Sequence, residues 1–384
     1  MVYLVELFIS IILLMLTTKI YDIAIIGAGA SGLQLLYEIV QADPTNEKQI
    51  LLLDSGDRST KSWCFWEGGK NQCFPFLVEK SWESMTYRTS SGETIKSKIH
   101  PLHYKYISSE RFFTYFFTEF IPANPNITLV NNWVQEIQEG DDLHSVICND
   151  GSSFYTNRVA DSRPLKSEDS SLIYQHFSGK FIEFEQPILD ESSMTLMDFS
   201  LPVSTNEMAV FHYILPFSQT KALIETTVFT KLAYDKEAYE RIWQNYMETN
   251  YSSQKYKVLA DETGTIPMGV TTQKRDGRVF TIGTAAGNMK ASTGYAFTRM
   301  HEDATYRAQN LTKKTPSRFR FYDKMLLKIM QNEMNKIPAV MDRLFSQVQT
   351  PKILRFLDDK SSLYDDIKLL SKLDIPLFIK HLFI

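Results

Sequence analysis

The chain has 384 residues, 43% hydrophobic and 22% charged, with a formal net charge of -4. That length supplies two or three domain-sized units with a buried core, and the composition excludes a disulfide-stapled miniprotein, a disordered chain and a collagen-like one. The charge argues against a nucleic-acid partner, and an aromatic share of 13% fits a large core, a long apolar pocket or a membrane-facing surface.

Residues 1–19 form an apolar N-terminal extension. Val2 to Leu16 is interrupted by Glu6, lacks a basic start and falls short of the roughly 20 residues of a membrane span. It reads as a non-native tail, an interfacial anchor or an uncleaved signal-like segment. Cys64, Cys73 and Cys148 are odd in number and lack C-x-x-C spacing, which excludes the usual zinc and redox patterns and suits a reducing cytoplasmic setting.

The first strong signal spans Tyr21 to Val40. Ile23, Ala24, Ile25 and Ile26 make a short apolar run suited to a parallel strand buried on both faces. Gly27-Ala28-Gly29-Ala30-Ser31-Gly32 follows at once, then Leu33, Leu35, Leu36 and Ile39 at helical spacing. A second apolar run from Ile50 ends in Asp54, 22 positions after Gly32. This is a dinucleotide-binding unit in its required context. Gly27 serves the turn, Gly29 lets a pyrophosphate approach the helix N-terminus beside Ser31, Gly32 lets helix pack on strand, and Asp54 faces an adenosine ribose. The motif binds ADP and leaves FAD and NAD open.

Further along, Glu110 to Phe120 reads as a helix whose Arg111 is a candidate cofactor contact. Phe181 to Phe184, Ser193 to Phe199, Glu207 to Tyr213 and Ala222 to Phe229 read as strands. Arg278 to Gly287 reads as a strand entering a Gly/Ala turn and a helix. Gly283, Thr284, Ala285 and Gly287 of that turn resemble the late turn by which aromatic-hydroxylase flavoproteins approach the flavin, with Thr284 in place of the usual acidic residue. FAD is therefore favoured over NAD. From Leu311 onward the chain carries 14 Lys and Arg against 8 Asp and Glu, a balance of +6 that leaves -10 for the rest. Leu326, Leu327 and Met330, then Leu369, Leu370 and Leu373, fall at helical spacing between charges. Such helices either cap the cofactor domain or lie on an anionic membrane surface, and for the last ten residues we expect membrane contact.

Several segments now resemble the FAD-dependent lycopene cyclases of bacterial carotenoid synthesis. They are Ser62-Trp63-Cys64-Phe65-Trp66-Glu67, Asp161-Ser162-Arg163-Pro164, Gln175-His176-Phe177, Thr195 to Phe199, Leu215-Pro216-Phe217, Ala222 to Thr227, Gly264 to Met268 and Lys290 to Tyr295. Departures are an inserted Ser59-Thr60-Lys61, Asn288-Met289 where the family often has Gly-Trp, and Ala291 for a frequent Pro.

The resemblance implies an α/β fold. A Rossmann-type FAD-binding domain of the aromatic-hydroxylase/glutathione-reductase-like kind (residues 20–178 and 259–310) is interleaved with a β-sheet carotenoid-binding domain (179–258) and followed by a C-terminal helical region (311–384). It implies an isomerase closing the acyclic ends of lycopene into β-ionone rings, with FAD active when reduced, NAD(P)H as reductant and no net redox change. Its implied partners are lycopene and related acyclic carotenoids, the membrane surface and other carotenoid-pathway enzymes, from a peripheral position on the cytoplasmic side of the membrane.

Ring closure needs an acid that protonates a terminal double bond, and a carboxyl group stays protonated near neutral pH only in an apolar pocket. Glu225 matches the acidic residue of the family's Leu-Glu-Glu-Thr or Ile-Glu-Asp-Thr motif, whose second acidic position is Thr226 here. Strand alternation puts Glu225 on the face opposite Ile224 and Thr226. Asp198 and Glu67 are secondary catalytic candidates that otherwise orient loops or the flavin. Trp63, Phe65, Trp66 and Tyr295 are candidates for cation–π support of a carbocation, against a plain core role. An apolar tunnel from Glu225 and the flavin to the membrane side is expected to use a sizeable minority of the aromatic rings. The alternative readings are a FAD-dependent monooxygenase or prenyl reductase of the same fold, and a non-catalytic carotenoid-binding protein.

Overall fold

The computed structural model describes residues 19–381 apart from 57, 59, 70–71, 165–171, 234, 270–274, 276 and 313–315. Nearly all of the N-terminal extension, part of the insertion at 59–61 and the last three residues thus lie outside the described residues.

The apolar runs of the nucleotide-binding unit build a five-stranded, all-parallel sheet in the order Val279–Thr281, Val159–Asp161, Ile23–Ile26, Ile50–Asp54, Ile127–Asn131. Ile23–Ile26 and Ile50–Asp54 are buried along their whole length, as strands covered on both faces must be. Helix Ala30–Gln41 lays Leu33, Leu35, Leu36 and Ile39 into the core, and Phe297–Ala308 packs beside it. The contribution of Val159–Asp161 and Val279–Thr281 from far along the chain is the expected interleaving.

The second layer is a seven-stranded sheet in the order Tyr256–Met268, Ile173–Phe184, Lys221–Thr230, Met208–Pro216, Ser193–Asp198, Ser84–Arg88, Thr94–Lys98. Three of these strands match the β-rich runs read from sequence, and the fourth run, Phe181 to Phe184, is the end of a longer strand that starts at Ile173, before the expected boundary at residue 179. The edges differ: Ser84–Arg88 and Thr94–Lys98 come from the first part of the chain, and Tyr256–Met268 extends past residue 258. These edge segments mix polar and apolar residues without a continuous apolar run, so their strand character comes from pairing with buried neighbours.

In Lys221–Thr230, Ala222, Ile224 and Val228 pack toward helix Lys236–Tyr251, where Trp243 Nε1 donates to the Ile224 carbonyl at 2.9 Å. Leu223, Glu225, Thr227 and Phe229 face the other way. That other face is roofed by the C-terminal helices Ser317–Asn332, Ile337–Gln347, Thr350–Leu357 and Leu363–Leu370. Leu327, Met330, Met341, Leu344 and Leu354 join Leu215, Leu223 and Phe229 in one core. The early terminal helices therefore cap the large sheet. The segment read as one helix from Glu110 is α-helical over Ser109–Thr114 and widens to a π-turn over Tyr115–Phe120.

Candidate active site

Between the cofactor sheet and the large sheet lies a cavity of about 1010 Å³. One wall is the sheet face carrying Leu223, Glu225, Thr227 and Phe229; the opposite wall includes Thr284, Ala285 and Gly287 of the late turn, with Tyr295 and Phe297 after it. The acid candidate and the flavin-approach turn thus open into one space.

Glu225 is buried, and Thr227 Oγ1 donates to its Oε1 at 2.6 Å. Burial pushes its carboxyl up to about 8, with Glu262 adding to the rise and the Thr227 hydrogen bond opposing it. At pH 7 it is a neutral acid. Across the strands its neighbours are Tyr213 on one side and Gly179 on the other, and Gly179 is in turn paired with Glu262. A Cβ on Gly179 would sit 3.2 Å from the Glu225 Cβ and 3.0 Å from the Leu223 Cδ1, so glycine leaves room for the flanking side chains. Thr226, at the family's second acidic position, is fully buried on the far face and does not line the cavity.

Glu262 was not singled out from the sequence. It lines the cavity, it is buried, and it accepts from Ser62 N–H at 2.6 Å and Ser62 Oγ at 2.5 Å. The signal lay two residues upstream of Gly264-Thr265-Ile266-Pro267-Met268, where period-two alternation sets Glu262, Gly264 and Ile266 on one face.

Aromatic rings supply a minority of the lining. Trp63, Tyr174, Phe177, Phe211, Tyr213, Phe229, Tyr295 and Phe297 all reach the cavity. Trp63 stacks on Phe297 at 5.5 Å, and Tyr104 OH meets Tyr213 OH at 2.7 Å and Tyr295 OH at 3.0 Å. Burial pushes Cys64, Tyr213 and Tyr295 well above their ordinary values, so they stay neutral. Phe65 and Trp66 point elsewhere: Phe65 into the cofactor core, Trp66 toward the roof, where its Nε1 donates to the Leu354 carbonyl at 3.1 Å.

The two secondary acid candidates lie outside this lining. Asp198 is fully buried, accepting from Arg88 Nη1 at 2.9 Å, Tyr246 OH at 2.7 Å and Ser200 N–H at 2.9 Å. Glu67 is held by Lys105 Nζ at 2.9 Å and by Cys73 N–H at 2.9 Å. These donors favour the ionised carboxylate over the protonated acid that a proton donor must be.

On the nucleotide side, Gly29 caps helix Ala30–Gln41 without any side chain over the helix's first N–H groups. A Cβ on Gly32 would fall 1.9 Å from the Gly27 carbonyl oxygen, which is the close helix-on-strand approach that the motif requires. Gly283 faces Ser31, whose Oγ would lie 2.6 Å from an added Cβ, so the early and late turns meet. Asp54 Oδ1 accepts from Ala28 N–H at 3.2 Å and Oδ2 from Arg58 at 2.5 Å. Arg111 donates to the Phe76 carbonyl at 3.2 Å and does not line the cavity. An uncapped helix N-terminus, a second turn brought against it and an open cavity beyond fit FAD, whose pyrophosphate the N–H groups at Gly29–Ser31 would hold and whose flavin the Thr284–Gly287 turn would border.

A second cavity of about 220 Å³ lies among the C-terminal helices, lined chiefly by apolar side chains such as Leu326, Met341, Leu344, Leu370 and Phe378. Leu357 borders both cavities.

The sequence profile of a family described as "Lycopene cyclase protein" matches residues 22–378. Over 173 residues the chain is 31% identical to the chloroplastic lycopene beta cyclase of Nicotiana tabacum, covering 40% of this chain and 34% of that one. The aligned stretch thus spans about a third of that relative. Among solved structures, a geranylgeranyl bacteriochlorophyll reductase-like protein from Thermoplasma acidophilum superposes with a TM-score of 0.62 at 10% identity, covering 94% of this chain and 98% of that one. The flavin-dependent monooxygenase PieE, solved with FAD and substrate, gives 0.57 at 12% identity over 92% and 71% of the two chains. These likenesses are of fold.

Proposed function

The chain belongs to the lycopene cyclase family, and from that membership we propose that it is a lycopene beta-cyclase converting the acyclic ends of lycopene to β-ionone rings through a carbocation. The observation that carries this reading is a carboxyl group raised to about 8, Glu225, in the same cavity as the turn suited to a flavin.

With Oε1 accepting from Thr227, Oε2 is left to carry the proton. Glu225 delivers it to the terminal double bond, a tertiary cation forms, and the neighbouring double bond attacks to close the ring. Loss of an allylic proton completes an isomerisation with no net redox change. Neutral Tyr213, Cys64 and Tyr295 surround the reacting end without offering a competing base, and the Trp63 and Tyr295 rings each add on the order of 0.5–2 kcal/mol of cation–π support if a ring face meets the cation. The Gly29–Ser31 and Thr284–Gly287 turns would hold FAD, which when bound and reduced by NAD(P)H would supply negative charge to the cavity, where a dry site screens it little.

Lycopene dissolves in bilayers, so the cavity must open toward one. The second cavity shares the lining residue Leu357 with the first, so an apolar route through the roof would run past that side chain. Exposed Ile367, Ile375 and Ile379 with nearby Lys368 and Lys372 suit an anionic interface, from a peripheral, cytoplasmic-side position. Among the described residues no helix is long and apolar enough to cross a membrane.

Anaerobic incubation with lycopene, FAD and NADPH, with products separated by chromatography, tests the reading. Cyclic carotene without stoichiometric NADPH loss is expected. NADPH consumed in step with a reduced or oxygenated product would make the protein a reductase or monooxygenase instead.

A further inference from the structure

The cyclisation that Glu225 starts must release a proton, and the mechanism above leaves its acceptor unassigned. Among the described residues, the cavity lining contains two carboxyl groups, Glu225 and Glu262. Both pair with Gly179, from opposite sides, so they belong to one row across the sheet and project from the same face. Two strand spacings separate their backbones by roughly 9–10 Å, and Gly179 adds no side chain of its own between them, leaving that space to Leu223 Cδ1 and Glu225 Cγ, which come within 3.0 and 3.3 Å of where its Cβ would stand.

Their hydrogen bonding differs. Among the described residues Glu225 accepts one hydrogen bond, from Thr227, whereas Glu262 accepts two, one on each oxygen, from the backbone and hydroxyl of Ser62. Donors to both oxygens favour the ionised form, and so does the charge of Lys61. Burial opposes them and pushes Glu262 upward, but Glu225 has the weaker set of donors. Two carboxyl groups in one site with unequal donor sets are the usual arrangement of an acid facing a base.

We propose that Glu262 is the proton acceptor of the ring closure. The inference rests on the cyclase reading above. In balance, the Glu225 proton and the terminal alkene pair form a new C–H bond; the next alkene pair forms the ring C–C bond. The allylic C–H bond then breaks, its electron pair becomes the ring double bond, and its proton goes to the Glu262 carboxylate. Substrate and product are isomers, and one proton has passed from Glu225 to Glu262, to be exchanged back between turnovers. The titratable groups around Glu262 are Lys61 and Cys64 from the approach and strand Ser62–Glu67, Tyr106 from His103–Ser108, Tyr213 from Met208–Pro216 and Glu225 from Lys221–Thr230. On its own strand Asp261 pairs with Lys180.

The test uses the full chain with FAD, comparing wild type, E262Q and E262D across pH. If Glu262 takes the proton, E262Q keeps FAD binding and Tm, loses about 100-fold or more in kcat, and loses the acidic limb of the pH profile while the basic limb set by Glu225 stays. E262D, which keeps a carboxylate, recovers at least tenfold over E262Q and regains the acidic limb. The proposal is overturned if E262Q turns over at the wild-type rate with its acidic limb intact, or if E262D is as impaired as E262Q with a lowered Tm, because Glu262 would then only pin Ser62 to the sheet. A wild type that leaves lycopene unchanged overturns the cyclase reading, and this inference with it.

Discussion

Thr227 donates to Glu225 at 2.6 Å from two positions along the same strand face, and among the described residues this is the one hydrogen bond made by the carboxyl group that burial raises to about 8. Replacing Glu225 by Gln keeps the volume and a carbonyl oxygen for Thr227 but removes the transferable proton. Activity should fall by about 10²–10⁴. Stability should move the other way. The folded-state value is about 8 against an ordinary 4.5, so the folded wild type holds a proton that the unfolded chain releases between those limits. Wild-type stability is therefore lost as pH rises through that window, by up to about 1.4 kcal/mol per pH unit from this group, and E225Q escapes the loss. Thermal melts at pH 4 and pH 8 check this: the Tm advantage of E225Q should be near zero at the first and largest at the second.

Thr227→Val removes the hydroxyl that favours the ionised form of Glu225. The carboxyl value should rise further, moving the basic limb of the activity profile upward by up to about one pH unit. An unmoved limb in the pH profile of T227V would mean that another group sets it.

Much of this site could be read from residue order alone. The nucleotide turn announces itself because glycine spacing, flanking strand and following helix are all local, and Glu225 because its segment resembles the family's acidic motif, alternation adding only that it faces away from Ile224 and Thr226. Glu262 escaped because its role depends on pairing: only when Ile173–Phe184 lies between Lys221–Thr230 and Tyr256–Met268 do the two carboxyl groups share a row. The same nonlocality explains Glu67 and Asp198. Each stands in a segment resembling the family, but their partners Lys105, Arg88 and Tyr246 lie 38, 110 and 48 positions away and no periodicity links them.

The Glu67–Lys105 pair is buried on both sides. Lys105→Met would leave an uncompensated buried carboxylate and should cost about 3–5 kcal/mol in a denaturant titration. A paired change to K105M/E67L should recover most of that, because a well-packed apolar pair can replace a buried ion pair at little cost. If the double variant also cyclises lycopene, Glu67 serves structure rather than proton transfer; an inactive but stable double variant would return it to the chemistry.

The terminal helix Ile375–Lys380 has no fully buried residue, and Ile375 and Ile379 are each 49% exposed. Half of each side chain faces water and the other half borders the second cavity, so I375D/I379D should lower Tm by a few degrees while the chain stays folded. Against anionic vesicles the same change removes two apolar contacts, each worth about 1.5–3 kcal/mol when fully buried, and adds two negative charges to an interface that repels them. The fraction sedimenting with vesicles should drop by more than tenfold, with turnover of vesicle-borne lycopene falling in parallel while turnover of detergent-dispersed lycopene holds. Equal sedimentation of variant and wild type would move the membrane face away from this helix and leave the second cavity without its expected opening.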